Sequence, residues 1–466
     1  MLRRRLVYVC LLAGTASASI PTFWSGSAFS QTATDLTVST SVTDPGVRGG
    51  APGAGDPLPG LTTGEAASFA LGKEDFGEAE GVGDGLGPRF NLDGCGGCHA
   101  QPATGGTSPA VNPQVAVATA FGARNVVPSF IRPNGPIREA RFKKNPDGSP
   151  DGGVHALFVI SGRVDSTGNA GGCNAVQEDF EKQVVNKNII FRIPTPVFGA
   201  GLIEQIKDST LVANLAAFST TKAQLGISGR LNRNGNDGTV SRFGWKAQNQ
   251  SLLLFSGEAY NVEMGITNDL FQSERDQNPN CQFSPVPNDT QLFNNTAGFP
   301  ALITAIENFA NFQRFLDQPK PVTSFTGASS TSINNGRAMF SNIGCALCHT
   351  PSLKTSDVAA VAALRNKTAN LYSDVALHNM GPGLADDVAQ GGARGDEFRT
   401  APLWGLGQRI FFLHDGRTRD LVQAIREHRS AANATYRASE ANEVINNFDR
   451  LGDSSTKDLL NFLRSL

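Results

Sequence analysis

Two pentapeptides constrain this chain more than anything else in it: Cys95-Gly96-Gly97-Cys98-His99 and Cys345-Ala346-Leu347-Cys348-His349. Each is a C-x-x-C-H. In that pattern two thiols add across the vinyl groups of a haem, and the histidine that follows is placed under the porphyrin as the proximal iron ligand. C-x-x-C also serves zinc sites and thioredoxin-like dithiols, but zinc needs two more ligands per site and no other Cys-x-x-Cys exists to supply them. Both copies carry the trailing histidine. Both also follow glycine- and phenylalanine-containing lead-ins: Gly87, Pro88, Phe90 and Asn91 before the first, Gly336, Arg337, Phe340, Ile343 and Gly344 before the second. The pair implies two covalently attached haem c groups.

Such haems are attached outside the bacterial cytoplasm, and the start of the chain fits export. Met1-Leu2-Arg3-Arg4-Arg5 followed by the apolar run Leu6 to Ala13 has the charge and hydropathy order of a secretory signal. Cleavage fits after Ala28-Phe29-Ser30 or earlier, after Ala16-Ser17-Ala18. Polar and small residues interrupt the run after about ten positions, too few for a span, so a signal peptide (1–30) and a periplasmic mature protein without a membrane span are expected. Four of the seven cysteines hold haem, and Cys10 lies inside the signal. Cys173 and Cys281 remain, and an oxidising compartment favours joining them, with two separate buried thiols as the alternative. A net charge of −2 calls for no nucleic-acid partner.

With 51 glycines and 25 prolines, the 466 residues predict long loops around modest helical units, a mainly α, loop-rich fold with a few short strands. Residues 31–60 lack periodicity and read as a flexible linker. Glu65 to Ala70 opens a short helix, and His155 to Ile160 is the clearest strand-like run. An internal repeat is visible, in which Phe191-Arg192-Ile193-Pro194-Thr195-Pro196-Val197-Phe198-Gly199-Ala200-Gly201 matches Phe398-Arg399-Thr400-Ala401-Pro402-Leu403-Trp404-Gly405-Leu406-Gly407 with one residue of offset. Further on, Arg242 to Trp245 corresponds loosely to Phe412 to Arg417. The chain therefore reads as two cytochrome c-like haem domains, 61–322 swollen by insertions and 323–466. The second opens with a helix around Ile333 to Ile343 and closes with one from about Ser455 to Leu466. Leu459, Leu460, Leu463 and Leu466 lie along one face of that last helix, and Asp453, Ser454 and Ser455 are offered as its caps.

These residues resemble the bacterial di-haem cytochrome c peroxidase and MauG superfamily, and more closely its di-haem oxidoreductase, or thiol oxidoreductase-like, branch. The resemblance rests on Gly94 to His99, Phe243 to Ala247, Glu258 to Gly265, Ile343 to Pro351, Leu377 to Gly381 and Phe412 to Arg417, in family order. It implies a peroxide site at the N-terminal haem, with Glu263 on the distal side in an Asn-x-Glu-Met context and Glu258 as the competing carboxylate. A carboxylate there can take a proton from hydrogen peroxide and return it to the leaving oxygen. It implies a C-terminal haem with two axial ligands that passes electrons. The second ligand follows the F-x-H-D-G block by one helix, and fourteen residues beyond His414 stands His428, which predicts a bis-histidine haem. Trp245 matches the tryptophan between the haems. His414 is expected as a hydrogen-bonding support, His378 and Met380 as structural support near the second haem, His155 as a strand-packed residue and Met339 as core.

The sequence thus points to an enzyme, a peroxidase-like oxidoreductase that takes hydrogen peroxide as substrate and electrons from a small cytochrome c or a cupredoxin. Two rivals stand beside it. One is MauG-like oxidation of a protein or organic substrate through an oxidised state spread over both haems; the other is a plain electron-transfer cytochrome. A calcium ion between the domains, as in relatives, is left open. The branch label invoking thiols finds no free reactive cysteine pair here once the haems are attached.

Overall fold

Two glycines at helix crossings frame the computed structural model, which describes residues 42–291 and 303–466. Helix α1 (Thr63–Gly77) crosses α3 (Ala305–Phe315) at Gly72, where a Cβ would lie 2.2 Å from the Asn308 carbonyl oxygen. Helix α4 (Ser330–Asn342) crosses α7 (Asp453–Ser465) at Gly336, where a Cβ would lie 1.9 Å from the Asp458 carbonyl. Only glycine lets backbones approach so closely. Capping boxes start α1 (Thr62 with Glu65) and α3 (Thr304 with Glu307), each satisfying two orphan N–H groups. Phe69 and Phe76 of α1 then pack on Phe312 of α3, with ring centroids 5.5 and 4.9 Å apart. In the other pair Phe340 of α4 meets Phe462 of α7 at 5.5 Å. Leu459, Leu460 and Leu463 are buried together, as their spacing predicts. The caps expected for α7 are corrected: its N-cap is Gly452, and Asp453 is already in the first turn, where its charge favours the positive end of the helix dipole.

The sequence repeat is also a repeat of packing. A Cβ on Gly201 would sit 2.0 Å from the Arg314 carbonyl at the end of α3, and one on Gly407 would sit 2.2 Å from the Arg464 carbonyl at the end of α7. Downstream, Phe243 bridges Asn249 and Phe412 bridges Thr418, which fixes the looser correspondence and puts Trp245 opposite His414 in the alignment. Helix α2 (Leu252–Met264), capped by Ser251, follows the first loop; α5 (Leu421–Arg426), capped by Asp420, follows the second, with α6 (Asn442–Asp449) beyond it. The described residues pack as one compact unit.

All ladders are short and antiparallel. β2 (Glu139–Phe142) lies between β3 (Val154–His155) and β5 (Ile189–Arg192), while β1 (Arg89–Phe90) pairs β4 (Phe158–Val159). β6 (Leu353–Lys354) pairs β7 (Thr368–Ala369), and β8 (Leu377–Asn379) pairs β9 (Glu397–Arg399). The strand read over 155–160 is therefore split between two sheets. Between its halves the Leu157 N–H donates to the side-chain oxygen of Asn91 at 2.9 Å instead of to a ladder.

The signal-peptide reading lies outside the described residues. Residues 42–60 are irregular, as their composition demands, but they are held in place. Arg48 N–H donates to the Gly407 carbonyl, Leu58 N–H to Phe315, and Lys320 N–H to Gly53. Among the described residues no helix is long and apolar enough to cross a membrane.

Cys173 and Cys281 are joined by a disulfide, closing a separation of 108 residues, and both are buried. Loop-closure entropy for such a span is worth about 4.7 kcal/mol on the chain-entropy account, and native disulfides deliver about 2–5 kcal/mol. The Cys173→Ser/Cys281→Ser protein is expected to lose stability in that range in denaturant unfolding. An unchanged midpoint would mean the covalent link constrains nothing the fold does not already hold.

Candidate active site

The first C-x-x-C-H floors a cavity of about 1180 Å³, counting the part open to solvent, walled by α2, β2, β5 and Phe76 and Phe309. Cys95–Cys98 make one helical turn after Gly94. The His99 Nδ1 lies 2.9 Å from the Gly106 carbonyl oxygen; an N–H there donates, which leaves Nε2 as the lone-pair nitrogen. Burial pushes the imidazole down to about 4 and the Cys95 thiol up to about 12. His99 is thus a neutral, oriented imidazole, the form that ligates metal.

Across this cavity stands a pair of carboxyls. Glu263, in the last turn of α2, accepts from the Asn91 side-chain amide at 2.7 Å and shares a side-chain hydrogen bond with Glu139 of β2. Burial, then the charge of Glu139, raises Glu263 well above the usual carboxylate range. Burial opposes the charge on Glu139 too, but Arg141, donating from Nε at 2.6 Å, prevails and holds it at about 2. Arg192 lies directly opposite Glu139 in the β2–β5 register, so one sheet face presents Glu139, Arg141 and Arg192 to the cavity. Glu258, one turn earlier on α2, also lines the cavity and accepts from Asn249.

The second C-x-x-C-H floors a larger and more apolar cavity, about 1410 Å³ with its open part. His349 repeats the device of His99, its Nδ1 lying 2.9 Å from the Tyr372 carbonyl. His428 follows α5 and lines the same cavity, with Nδ1 2.8 Å from the Ala424 carbonyl one turn back. Two neutral imidazoles therefore serve one cavity, each with one nitrogen tied to backbone and the other available.

Trp245 lines both cavities. Its indole N–H donates to the Ile193 carbonyl at 2.9 Å, its own carbonyl accepts from the Arg399 N–H at 2.8 Å, and its ring meets His414 edge-on at 6.3 Å. It is pinned between the two copies of the repeat, one from each half.

The family model described as "Di-haem oxidoreductase, putative peroxidase" matches residues 142–466. The chain belongs to this family. No curated protein matches. Among solved structures, hydrazine synthase of Kuenenia stuttgartiensis, pressurized with xenon, matches at 17% identity over 46% of this chain and 60% of its own, with a TM-score of 0.24. The match thus spans about three-fifths of that chain. A MauG-like protein associated with microbial copper homeostasis matches at 18% identity over 59% of this chain and 90% of its own, with a TM-score of 0.29.

A di-haem oxidoreductase has two haems to house, and the two cavities fit them on independent grounds. Arg399 and Arg409 both line the second cavity, and both are buried. Burial pushes each down to about 10, and neither has a carboxylate partner among the described residues. Arg399 donates to the Gly244 carbonyl and Arg409 only to that of Pro402. Two buried guanidiniums without counter-ions suit a group that carries two carboxylates, as haem does. In the first cavity Arg138 similarly meets the carbonyls of Asp415 and Phe130.

The remaining histidines of this oxidoreductase are held by neighbouring side chains. His155 stacks on Phe142 at 3.6 Å, pairs with Asp151 and Glu178 and does not line the first cavity. His378 has both nitrogens on carboxylates, Asp374 at 3.0 Å and Glu440 at 2.9 Å, which leaves none for iron. Burial opposes its charge, but the Cys348 sulfur and then Asp374 raise it well above its ordinary value. His414, expected as a hydrogen-bonding support, is held instead by ring packing in the wall of the second cavity, stacked on Phe398 at 4.4 Å, and the hydrogen bond it accepts, from the Ile193 N–H, is at its backbone carbonyl. Met339 packs at the edge of the α4–α7 core. Sequence reasoning missed Glu139, Arg141 and Arg192 as a group. Alternation over Glu139-Ala140-Arg141-Phe142 was the available signal, and the partner strand lies some fifty positions away.

Proposed function

We propose that this chain is an exported, di-haem c-type peroxidase. In this reading Cys95 and Cys98 hold one haem and Cys345 and Cys348 the other through thioethers, with His99 and His349 as proximal ligands and His428 as the second ligand of the latter. That none of these four thiols is paired, while Cys173 and Cys281 are, supports the attachment. The observation that carries the reading is the inequality of the cavities. Among the described lining residues the first holds His99 as its one histidine, with a buried carboxyl pair, and the second holds His349, His378, His414 and His428, of which His349 and His428 each have one nitrogen tied to a backbone carbonyl and the other available.

A haem held by His99 with Cys95 and Cys98 would supply the redox chemistry of O–O cleavage. The protein's part is proton handling and orientation. Asn91 fixes Glu263, Arg141 fixes Glu139, and Gly106 fixes the tautomer of His99. Trp245 offers a conjugated ring common to both cavities, which suits electron passage from the His349/His428 side. A small cytochrome c or a cupredoxin is the proposed donor, and the periplasm the proposed location. Trp245 equally suits the second reading, MauG-like oxidation of a protein or organic substrate, since it could share an oxidising equivalent between the cavities.

The test is steady peroxide turnover by the holoprotein with a reduced small cytochrome c, together with the ferric spectrum. One high-spin and one low-spin centre with turnover are expected. Two low-spin centres that bind no added ligand would make the protein an electron carrier. His428→Ala is expected to convert the low-spin centre to high spin, because the closed iron loses its second imidazole. An unchanged spectrum would show that another residue is the ligand.

A further inference from the structure

We propose that Glu139 is a working member of the first cavity, and that Glu139 and Glu263 hold one proton between them, so that an acid and a base face the cavity together. This rests on the peroxide reading above and extends it to a residue outside every motif and outside the matched region, which begins at residue 142.

The placement is built from three elements. β2 carries Glu139 and, two positions on along the same face, Arg141; β5 brings Arg192 opposite; α2 brings Glu263 from the other wall. Two hydrogen-bonded carboxyls in a buried wall cannot both ionise, because the second charge meets the first in low dielectric. Surroundings decide which one keeps the proton. Glu139 has the guanidinium of Arg141 at 2.6 Å and Arg192 across the ladder, whereas the group that donates to Glu263 is the neutral amide of Asn91, and Arg141 reaches Glu263 by charge alone. The charge therefore rests on Glu139 and the proton on Glu263. The other groups facing the pair are Arg275 after α2, Glu258 one turn back, and the sulfurs of Cys95 and Cys98.

Such a pair does both proton transfers of peroxide cleavage without changing its own total. The Glu139 carboxylate takes the proton from one peroxide oxygen while Glu263 gives its proton to the other, which keeps the O–O bonding pair and leaves as water; a haem held by His99 would supply the two electrons that the remaining oxygen then lacks, to be restored by the donor protein. The second oxygen leaves as water once two electrons from the donor protein and two solvent protons have been supplied. One peroxide, two electrons and two protons thus give two waters, and the pair again holds a single proton. A lone carboxylate must instead accept and then return the same proton.

Infrared spectroscopy of the ferric holoprotein tests the shared proton apart from turnover. The wild type is expected to show the carbonyl stretch of a protonated carboxyl through the neutral range, sensitive to D2O and absent in Glu263→Gln. In Glu139→Gln the band should titrate away at lower pH, because the neighbouring charge is gone. The peroxide kcat/KM of that variant should gain an acid limb, falling about ten-fold or more below the wild type on its acid side. Arg141→Gln keeps both carboxyls and serves if Glu139→Gln does not fold; the pair should then take up a second proton at higher pH than in the wild type. No such band in the wild type, or a band and pH profile unmoved by Glu139→Gln and Arg141→Gln, overturns the proposal. A band that behaves as described in a protein without peroxide turnover overturns the peroxide reading and leaves the shared proton in place.

Discussion

Glu263→Gln is expected to lower kcat/KM for hydrogen peroxide by about 10²–10⁴-fold, the usual worth of a positioned acid–base group, or about 2.7–5.4 kcal/mol of transition-state stabilisation. The substitution keeps shape and keeps an oxygen for the Asn91 amide, but its amide cannot give up a proton. The loss should therefore fall on turnover and not on folding, and the signs of the shifts say why. The Glu263 carboxyl is raised in the folded chain, so its contribution to stability is full below the unfolded value and is lost as pH rises through the folded one. A neutral glutamine escapes that loss, and the melting temperature at neutral or alkaline pH should not fall below that of the wild type. Peroxide assays and thermal melts on one preparation check both halves. Turnover within a factor of a few of wild type would remove Glu263 from the chemistry and leave Glu258 as the carboxyl to test.

What could be read from the residues before the fold was known follows from what each feature needs. Covalent haem attachment needs two thiols and a histidine at fixed spacing on one turn, so Cys95 to His99 and Cys345 to His349 are legible without any tertiary knowledge. His428 and Trp245 came from the resemblance, His428 through its place one helix beyond the block that holds His414 and Trp245 through its match to the family's tryptophan; His428 lines the second cavity and Trp245 lines both. Leu459, Leu460 and Leu463 follow from helical period alone. The opposite case is Glu139 with Arg192. Their juxtaposition is set by antiparallel register between strands of four residues, and a register shift of one would turn every side chain to the other face. No local pattern encodes that register. The same limit hid the role of residues 42–60: a Gly- and Pro-rich stretch reads as linker because its anchors are backbone and side-chain groups far along the chain.

Asp44 is the strongest of those anchors, and its removal is the second large effect expected. Its carboxylate receives Arg464, near the end of α7, from both Nε and Nη2, and the two side chains are 6% and 1% exposed. It also accepts the Leu421 N–H at 2.8 Å, at the start of α5, the helix that leads to His428. Asp44→Ala would leave a buried guanidinium facing only the carbonyls of Leu406 and Arg409 and the ring of Phe412. Breaking a buried pair from one side costs about 3–5 kcal/mol, because the surviving charge remains desolvated. Urea unfolding of the holoprotein measures it. A loss under about 1 kcal/mol, the range of exposed pairs, would show that the N-terminal strap is not fastened there. The pH dependence carries the opposite sign to that of Glu263. Burial raises Asp44, but the Arg464 hydrogen bond and charge outweigh it and the carboxyl titrates below its ordinary value. Its contribution is therefore full above the unfolded carboxylate value and is lost as pH falls through the folded one. Asp44→Ala should erase that part of the acid sensitivity. Asp44→Asn, which keeps an oxygen for the Leu421 N–H but no charge for Arg464, should erase it equally while costing less at neutral pH.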